Sequence, residues 1–158
     1  MTPRTIQDVF HVMNDMAALE LALAELYQAC SEQFPEDKNF WLAIRNQEEL
    51  HATLIKELIE LVSAHPQEFN FGRPFNSVAI KTTLSSVQNY TESVRKGLLE
   101  RKRALFMARD IEQSVLEAKY SEIVTTDNVE FRKVIERISK DTLAHKNVFA
   151  AKVAKSRA

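Results

Sequence analysis

Glycine and proline are scarce, two and four among 158 residues, so few places carry the chemistry of tight turns and hairpins. Cysteine occurs once, as Cys30, which excludes an internal disulfide and any Cys-x-x-Cys metal site within one chain. An excess of one charge is missing too. The formal net charge of -1 offers nothing to neutralise a phosphate backbone, and no nucleic-acid partner is expected. No run is long and apolar enough to cross a bilayer, so no membrane partner is expected either. The segment from Met1 to Asp15, interrupted by Arg4, Asp8 and His11, lacks the apolar stretch of a signal peptide, and the expected location is cytoplasmic.

What the chain does contain is helical in character. Apolar residues make up 45% and charged residues 27%, the balance of a folded chain rather than a disordered one. Leu, Ala, Glu, Lys and Ile, mostly good helix formers, predominate. Apolar positions at Ile6, Val9, Phe10, Met13, Ala17, Leu21, Ala24 and Tyr27 recur in steps of three and four and predict a helix over about 5–33. Thr5-Ile6-Gln7-Asp8 has the form of its capping box. Pro35 breaks it and opens a second helix over about 36–64, striped by Phe40, Trp41, Ile44, Glu48, His51, Leu54, Ile55, Leu58 and Leu61. Pro66 to Asn76 reads as a loop. Ser77 is the expected cap of a crossover helix ending near Gly97. A third long helix is expected over about 99–124, a capped turn at Thr125–Asn128, and a fourth over about 128–154, striped by Phe131, Val134, Ile135, Ile138, His145, Val148 and Phe149. Short links make helices one and two, and three and four, antiparallel neighbours, and the long connection permits a crossover. The expectation is a single all-α domain over 1–158, a four-helix bundle of ferritin-like type whose long crossover contains an extra helix.

The two halves echo each other. Glu20 precedes His51 by 31 residues and Tyr27 follows Glu20 by seven; Glu112 precedes His145 by 33 and Tyr120 follows Glu112 by eight. Such self-similarity suggests two helical hairpins about a pseudo-twofold axis. Glu48-x-x-His51 places a carboxylate and an imidazole one turn apart on a single helix face. Oxygen and nitrogen donors of this kind suit first-row divalent ions, and carboxylates that bridge two cations offset the cost of burying charge. Met13, Met16, Phe40, Trp41, Phe106 and Met107 read as core, Cys30 as a buried small residue, and His11 and His65 as exposed residues outside the motif.

The set Glu20-x6-Tyr27, Glu48-x2-His51, Glu112 followed by Tyr120, and Ala144-His145-Lys146 resembles the rubrerythrin branch of the ferritin-like di-iron carboxylate proteins, over about 20–150. The resemblance implies that Glu20 and Glu112 are metal ligands from helices one and three, that Glu48 bridges, and that His51 and His145 each cap one metal. Tyr27 and Tyr120 resemble the tyrosines that hydrogen-bond to ligand carboxylates in that family. Two departures stand out. The family pattern has Glu three residues before the second histidine, where this chain has Thr142; Asp141 beside it, four residues before His145, is the remaining candidate ligand. Val115 stands where rubrerythrins carry a further Glu.

By this resemblance the cofactor is iron, two ions in a complete site, with manganese or zinc as alternatives. The implied activity is oxidoreduction of peroxide or dioxygen, or ferroxidase-like iron oxidation. A homodimer is implied, and so is a separate electron-donor protein, because no rubredoxin domain is present. Thr142 and Val115 favour the other reading, a metal-free or degenerate bundle that serves as a binding or scaffold module. Phe69, Phe71 and Phe75 would form an exposed apolar patch or cover the end of the bundle.

Overall fold

The computed structural model describes residues 3–72 and 74–156. Six helices account for most of them: α1 (Pro3–Gln33), α2 (Lys38–Ala64), α3 (Pro74–Arg95), α4 (Arg101–Ala118), the single turn α5 (Tyr120–Ile123) and α6 (Val129–Ser156). Two short strands, β1 (Asn70–Phe71) and β2 (Val124–Thr125), pair antiparallel. The chain is all-α, as expected, and among the described residues no helix is long and apolar enough to cross a membrane.

The helices differ in detail from the expectation, and each difference has a local reason. Helices α1 and α3 both begin at a proline, Pro3 and Pro74, where a missing N–H costs nothing. The helix therefore starts two residues ahead of the Thr5-to-Asp8 box, and Ser77 lies inside α3 instead of capping it. Gly97, at φ +70°, ends the α3 segment as expected. Its N–H bonds Val94 O while that of Leu98 bonds Ser93 O, the paired closure that a left-handed residue permits after a helix. Asn128 caps α6 by accepting from the Phe131 N–H at 3.0 Å.

The expected loop after α2 is more structured than its composition suggests. Pro66–Glu68 forms one 3-10 turn, and β1 then pairs with β2, Asn70 opposite Thr125 and Phe71 opposite Val124. Gly72 donates its N–H to Ile123 O at 2.5 Å, an approach so close that a Cβ there would run into the backbone oxygens of Glu122 and Ile123. The apolar patch is only partly realised. Phe69 is fully buried, its ring 5.2 Å from that of Phe131, and Phe71 is half-buried; Phe75 lies outside the described side chains.

Helix α1 packs along α2, α4 along α6, and α3 lies on α1 and reaches α4. Specific pairs give the directions. Tyr27 touches Trp41 and Glu20 approaches His51, so α1 and α2 run oppositely. Gln47 meets His145 and His51 meets Asp141, so α2 and α6 do too. Because α3 covers α1 in addition to α2, burial on α1 exceeds one stripe: Leu19, Leu23 and Leu26 are inside, whereas Leu21, expected inward, is exposed, as is Val148 on α6. Cys30, Met13, Met16, Trp41 and Met107 are buried, and Phe40 and Phe106 are half-buried against the core. His11 and His65 are exposed.

One end of the bundle is tied by charge. Asp37, in the turn between α1 and α2, accepts from Arg101 at 2.5 and 3.1 Å and lies 3.4 Å from Lys152. The adjacent guanidinium holds its carboxyl below the usual carboxylate range. The turn is thereby fixed to the start of α4 and the end of α6, and the middle of all four long helices is placed around one interior region.

Candidate metal centre

That interior is not purely apolar. Glu20, Glu48, His51 and Glu112 are fully buried, and His145 is 4% exposed. They arrive from four helices, α1, α2, α4 and α6, each on the face that its apolar neighbours bury. Around α2 the buried positions Trp41, Ile44, Glu48, His51, Ile55, Leu58 and Val62, with Ala52 beside His51, follow the three-and-four rhythm of a packed helix, and the carboxylate and imidazole simply occupy two places in it.

The five residues form two overlapping triads, Glu20–Glu48–His51 and Glu48–Glu112–His145, whose donor atoms lie within 4.8 Å of one another in each. His51 Nδ1 is 3.9 Å from Glu20 Oε2 and 3.5 Å from Glu48 Oε2. His145 Nδ1 is 2.8 Å from Glu48 Oε1 and 3.5 Å from Glu112 Oε1. Glu48 belongs to both, one oxygen toward each histidine, and the two imidazole rings lie 6.1 Å apart and 25° from parallel. The residues expected as ligands from four helices are thus brought together.

Asp141 is the exception. It does not join either triad; its Oδ2 accepts from His51 Nε2 at 2.8 Å, the ring nitrogen that faces away from the cluster. Its carboxylate is engaged on this outer nitrogen, and it stays partly exposed. Gln47, unnoticed in the sequence, does the same for the other histidine: its Oε1 meets His145 Nε2. Gln47 lies four residues before His51 and Asp141 four before His145, so each reaches across the axis to the histidine of the opposite helix. The internal repeat marks Gln47 as the counterpart of Asp141; only the packing shows which histidine each one serves. Each acceptor takes the Nε2 proton and leaves Nδ1 turned toward the centre.

The tyrosines cross over likewise. Tyr27 on α1 donates to Glu112 Oε1 on α4 at 2.8 Å, and Tyr120, buried, lies beside Glu20 on α1. Their spacings differ by one, which a continuous helix would not forgive. Seven residues leave Tyr27 within about 20° of the Glu20 face, but eight would turn Tyr120 about 80° away from Glu112. Helix α4 therefore stops at Ala118. Lys119 takes the left-handed conformation, φ 51°, and the chain re-enters a helical turn with Tyr120 facing inward. The uninterrupted helix expected over 99–124 is corrected to this broken one.

Electrostatics follow from burial. Glu20 is raised well above the carboxylate range, first by desolvation and then by Glu48 beside it. Desolvation opposes charge on the histidines as well, but the carboxylates outweigh it: Glu20 and Glu48 lift His51 to about 11, and Glu112 and Glu48 lift His145 to about 10. Tyr27 and Tyr120 are raised by burial and by the neighbouring carboxylates. Burial alone pushes Cys30 up to about 12, which leaves it an inert thiol.

The hydrogen-bond pattern divides the cluster into an inner and an outer set. Among the described residues, seven buried atoms of the five residues have no well-aligned hydrogen-bond partner: both oxygens of Glu20 and of Glu48, Oε2 of Glu112, and Nδ1 of His51 and of His145. Even the 2.8 Å approach of His145 to Glu48 lacks hydrogen-bond geometry. The outer atoms, Nε2 of each histidine and Oε1 of Glu112, are all partnered. Unpaired buried polar atoms are rare in native proteins and demand an explanation. Donor atoms that converge on a point without bonding one another, with their far sides anchored, fit a cation.

Thr142 sits where the repeat would place a counterpart of Glu48. It is buried, and its hydroxyl donates to Ile138 O at 2.8 Å, so it adds no ligand. Val115 is also buried. No protein-family model, curated protein or solved structure matches the chain.

Proposed function

We propose that the cluster binds two divalent cations, iron by preference, and that the protein is a non-haem di-iron oxidoreductase acting on dioxygen or peroxide. Glu20 and His51 would hold one ion, Glu112 and His145 the other, and Glu48 both. The observation that carries this reading is the set of seven inward, unpartnered donor atoms backed by partnered outer ones. Carboxylate and imidazole donors without thiolate suit ferrous iron, with manganese and zinc as competitors. The arrangement resembles the ligand set of the rubrerythrin and ferritin-like di-iron proteins, with one carboxylate fewer.

Two ferrous ions, once bound, supply the two electrons that cleavage of an O–O bond requires. The chain's own residues do the rest. Asp141 and Gln47 hold the histidine tautomers, and Tyr27 steadies Glu112 through Oε1. The apolar walls of the bundle exclude bulk water from the carboxylates. Electrons for a second turnover would come from a separate donor protein, and a homodimer remains part of the proposal.

A second reading has one observation in its favour. The two histidines, raised to about 11 and 10, can themselves serve as cations among the carboxylates, as in a metal-free bundle used for binding or scaffolding. Metal content separates the readings. Protein from iron-supplemented cells should carry about two iron ions per chain, and Glu48→Ala, shown to be folded by circular dichroism, should carry none. A folded wild-type protein without metal, or a variant with unchanged content, overturns the proposal.

A further inference from the structure

Four rings form a continuous contact between the cluster and one end of the bundle. Tyr27, whose hydroxyl bonds Glu112 Oε1 at 2.8 Å, has its ring 5.8 Å from Trp41 and 5.6 Å from Phe149. Phe40 lies 5.6 Å from Trp41 and 5.6 Å from Phe149. Centroid distances of this kind are those of rings in contact. Trp41 stands two turns before Glu48, about 10 Å along α2, a span that electrons cross readily in proteins. A buried aromatic cluster is ordinary packing, but this one ends among cations. Phe40 is half-buried, with Lys152 Nζ 4.5 Å over its ring. At this end Arg101 engages Glu36 and Asp37, and Lys152 also reaches Asp37. Around them Lys38, Lys102, Arg103 and Lys155 are exposed and, among the described residues, unpaired. The segment from Lys96 to Arg103 carries four basic residues against Glu100 alone, in a chain of net charge -1. Leu98, 69% exposed, lies within that segment.

An exposed apolar side chain inside a rim of one charge is the composition of a docking face that selects its partner by electrostatics. Resting on the di-iron reading, we infer that this basic end receives the electron donor, a small acidic protein carrying a one-electron centre, and that its electrons reach the cluster by way of Phe40, Trp41 and Tyr27. Each reduced carrier gives up one electron, which turns one ferric ion ferrous; no bond is made or broken, and two carriers restore the pair. The positive field draws the acidic carrier to the end where the rings come nearest the surface. Gln47 and Asp141, the outer partners of the two histidines, emerge on a different face. There Ala43, Leu50 and Val148 are exposed, and the charge of Asp141 is opposed by Arg137 at 3.9 Å, so that face has no net sign with which to attract an acidic protein.

The probe is a plant-type ferredoxin, an acidic one-electron carrier. Oxidised ferredoxin added to the isotope-labelled protein, metal-free or iron-loaded, should broaden amide signals around Lys38, Leu98 to Arg103 and Lys155. Broadening around Leu50 and Val148 instead, or none at all while a DNA duplex binds, would overturn the inference. Stopped-flow reduction of the ferric protein by reduced ferredoxin should slow as salt is raised. The triple variant Lys38→Glu, Lys102→Glu, Arg103→Glu places acids in the first turns of α2 and α4, where helices favour them. It should lose at least about tenfold in the second-order rate. Reduced methyl viologen, a small cation that needs no docking face, should reduce the variant at least as fast as the wild type. Iron bound in both proteins with equal rates from ferredoxin would overturn this inference and leave the di-iron reading standing. No iron bound in the wild type would overturn both.

Discussion

Metal loading should expel protons, and their number follows from the geometry. At pH 7 His51, held to about 11, and His145, held to about 10, carry protons on both ring nitrogens. Their Nε2 protons are engaged by Asp141 and Gln47, so the proton a cation must displace is the one on Nδ1. Loading both ions should therefore release about two protons per chain, with a further fraction from Glu20, because ligands bind in their deprotonated forms. Affinity for each ion should climb about tenfold per pH unit between pH 6 and 9. The assay is calorimetric titration with Zn(II) at pH 7 in buffers of different ionisation heat; the slope of apparent enthalpy against that heat counts the protons. A slope near zero with two ions bound would refute the assigned charge states. The metal-free protein gives the converse. The folded-state values lie above the ordinary 6.5, so the stability contributed by the two histidines is complete below pH 6.5. It is lost as pH rises through about 10 and 11, which thermal melts of chelator-treated protein across that range would detect.

Two other expectations can be checked separately. Asp141→Asn and Gln47→Leu should each weaken one of the two ions by about 10- to 100-fold, the usual effect of removing the anchor behind a ligating histidine; Co(II) titrations that find both variants indistinguishable from wild type would contradict the crossed pairing. Gly72→Ala should destabilise the fold by about 1–3 kcal/mol, because its Cβ would press on the backbone oxygens of Glu122 and Ile123; an unchanged melting temperature would mean that the β1–β2 pairing is not held this closely.

The local pattern of residues was enough to name the helices and the five clustered side chains. Helical periodicity is a property of consecutive residues, and Glu20, Glu48, His51, Glu112 and His145 each stand among apolar neighbours at helical spacing, so their inward direction is readable without a fold. The repeat between the halves was readable for the same reason. Relations across space were not. Which glutamate each tyrosine lies beside, that Gln47 and Asp141 serve the opposite histidines, and that Asp141 stays outside the cluster all depend on how the four helices are set against one another. The break at Lys119 belongs to this group as well. Nothing in its local sequence calls for a left-handed residue, and it arises because packing turns Tyr120 inward from a spacing that an unbroken helix would direct away. Local preferences are worth tenths of a kilocalorie per residue, whereas burying an aromatic side chain or leaving a carboxylate unpaired involves several kilocalories. Where the two scales conflict, the tertiary structure decides.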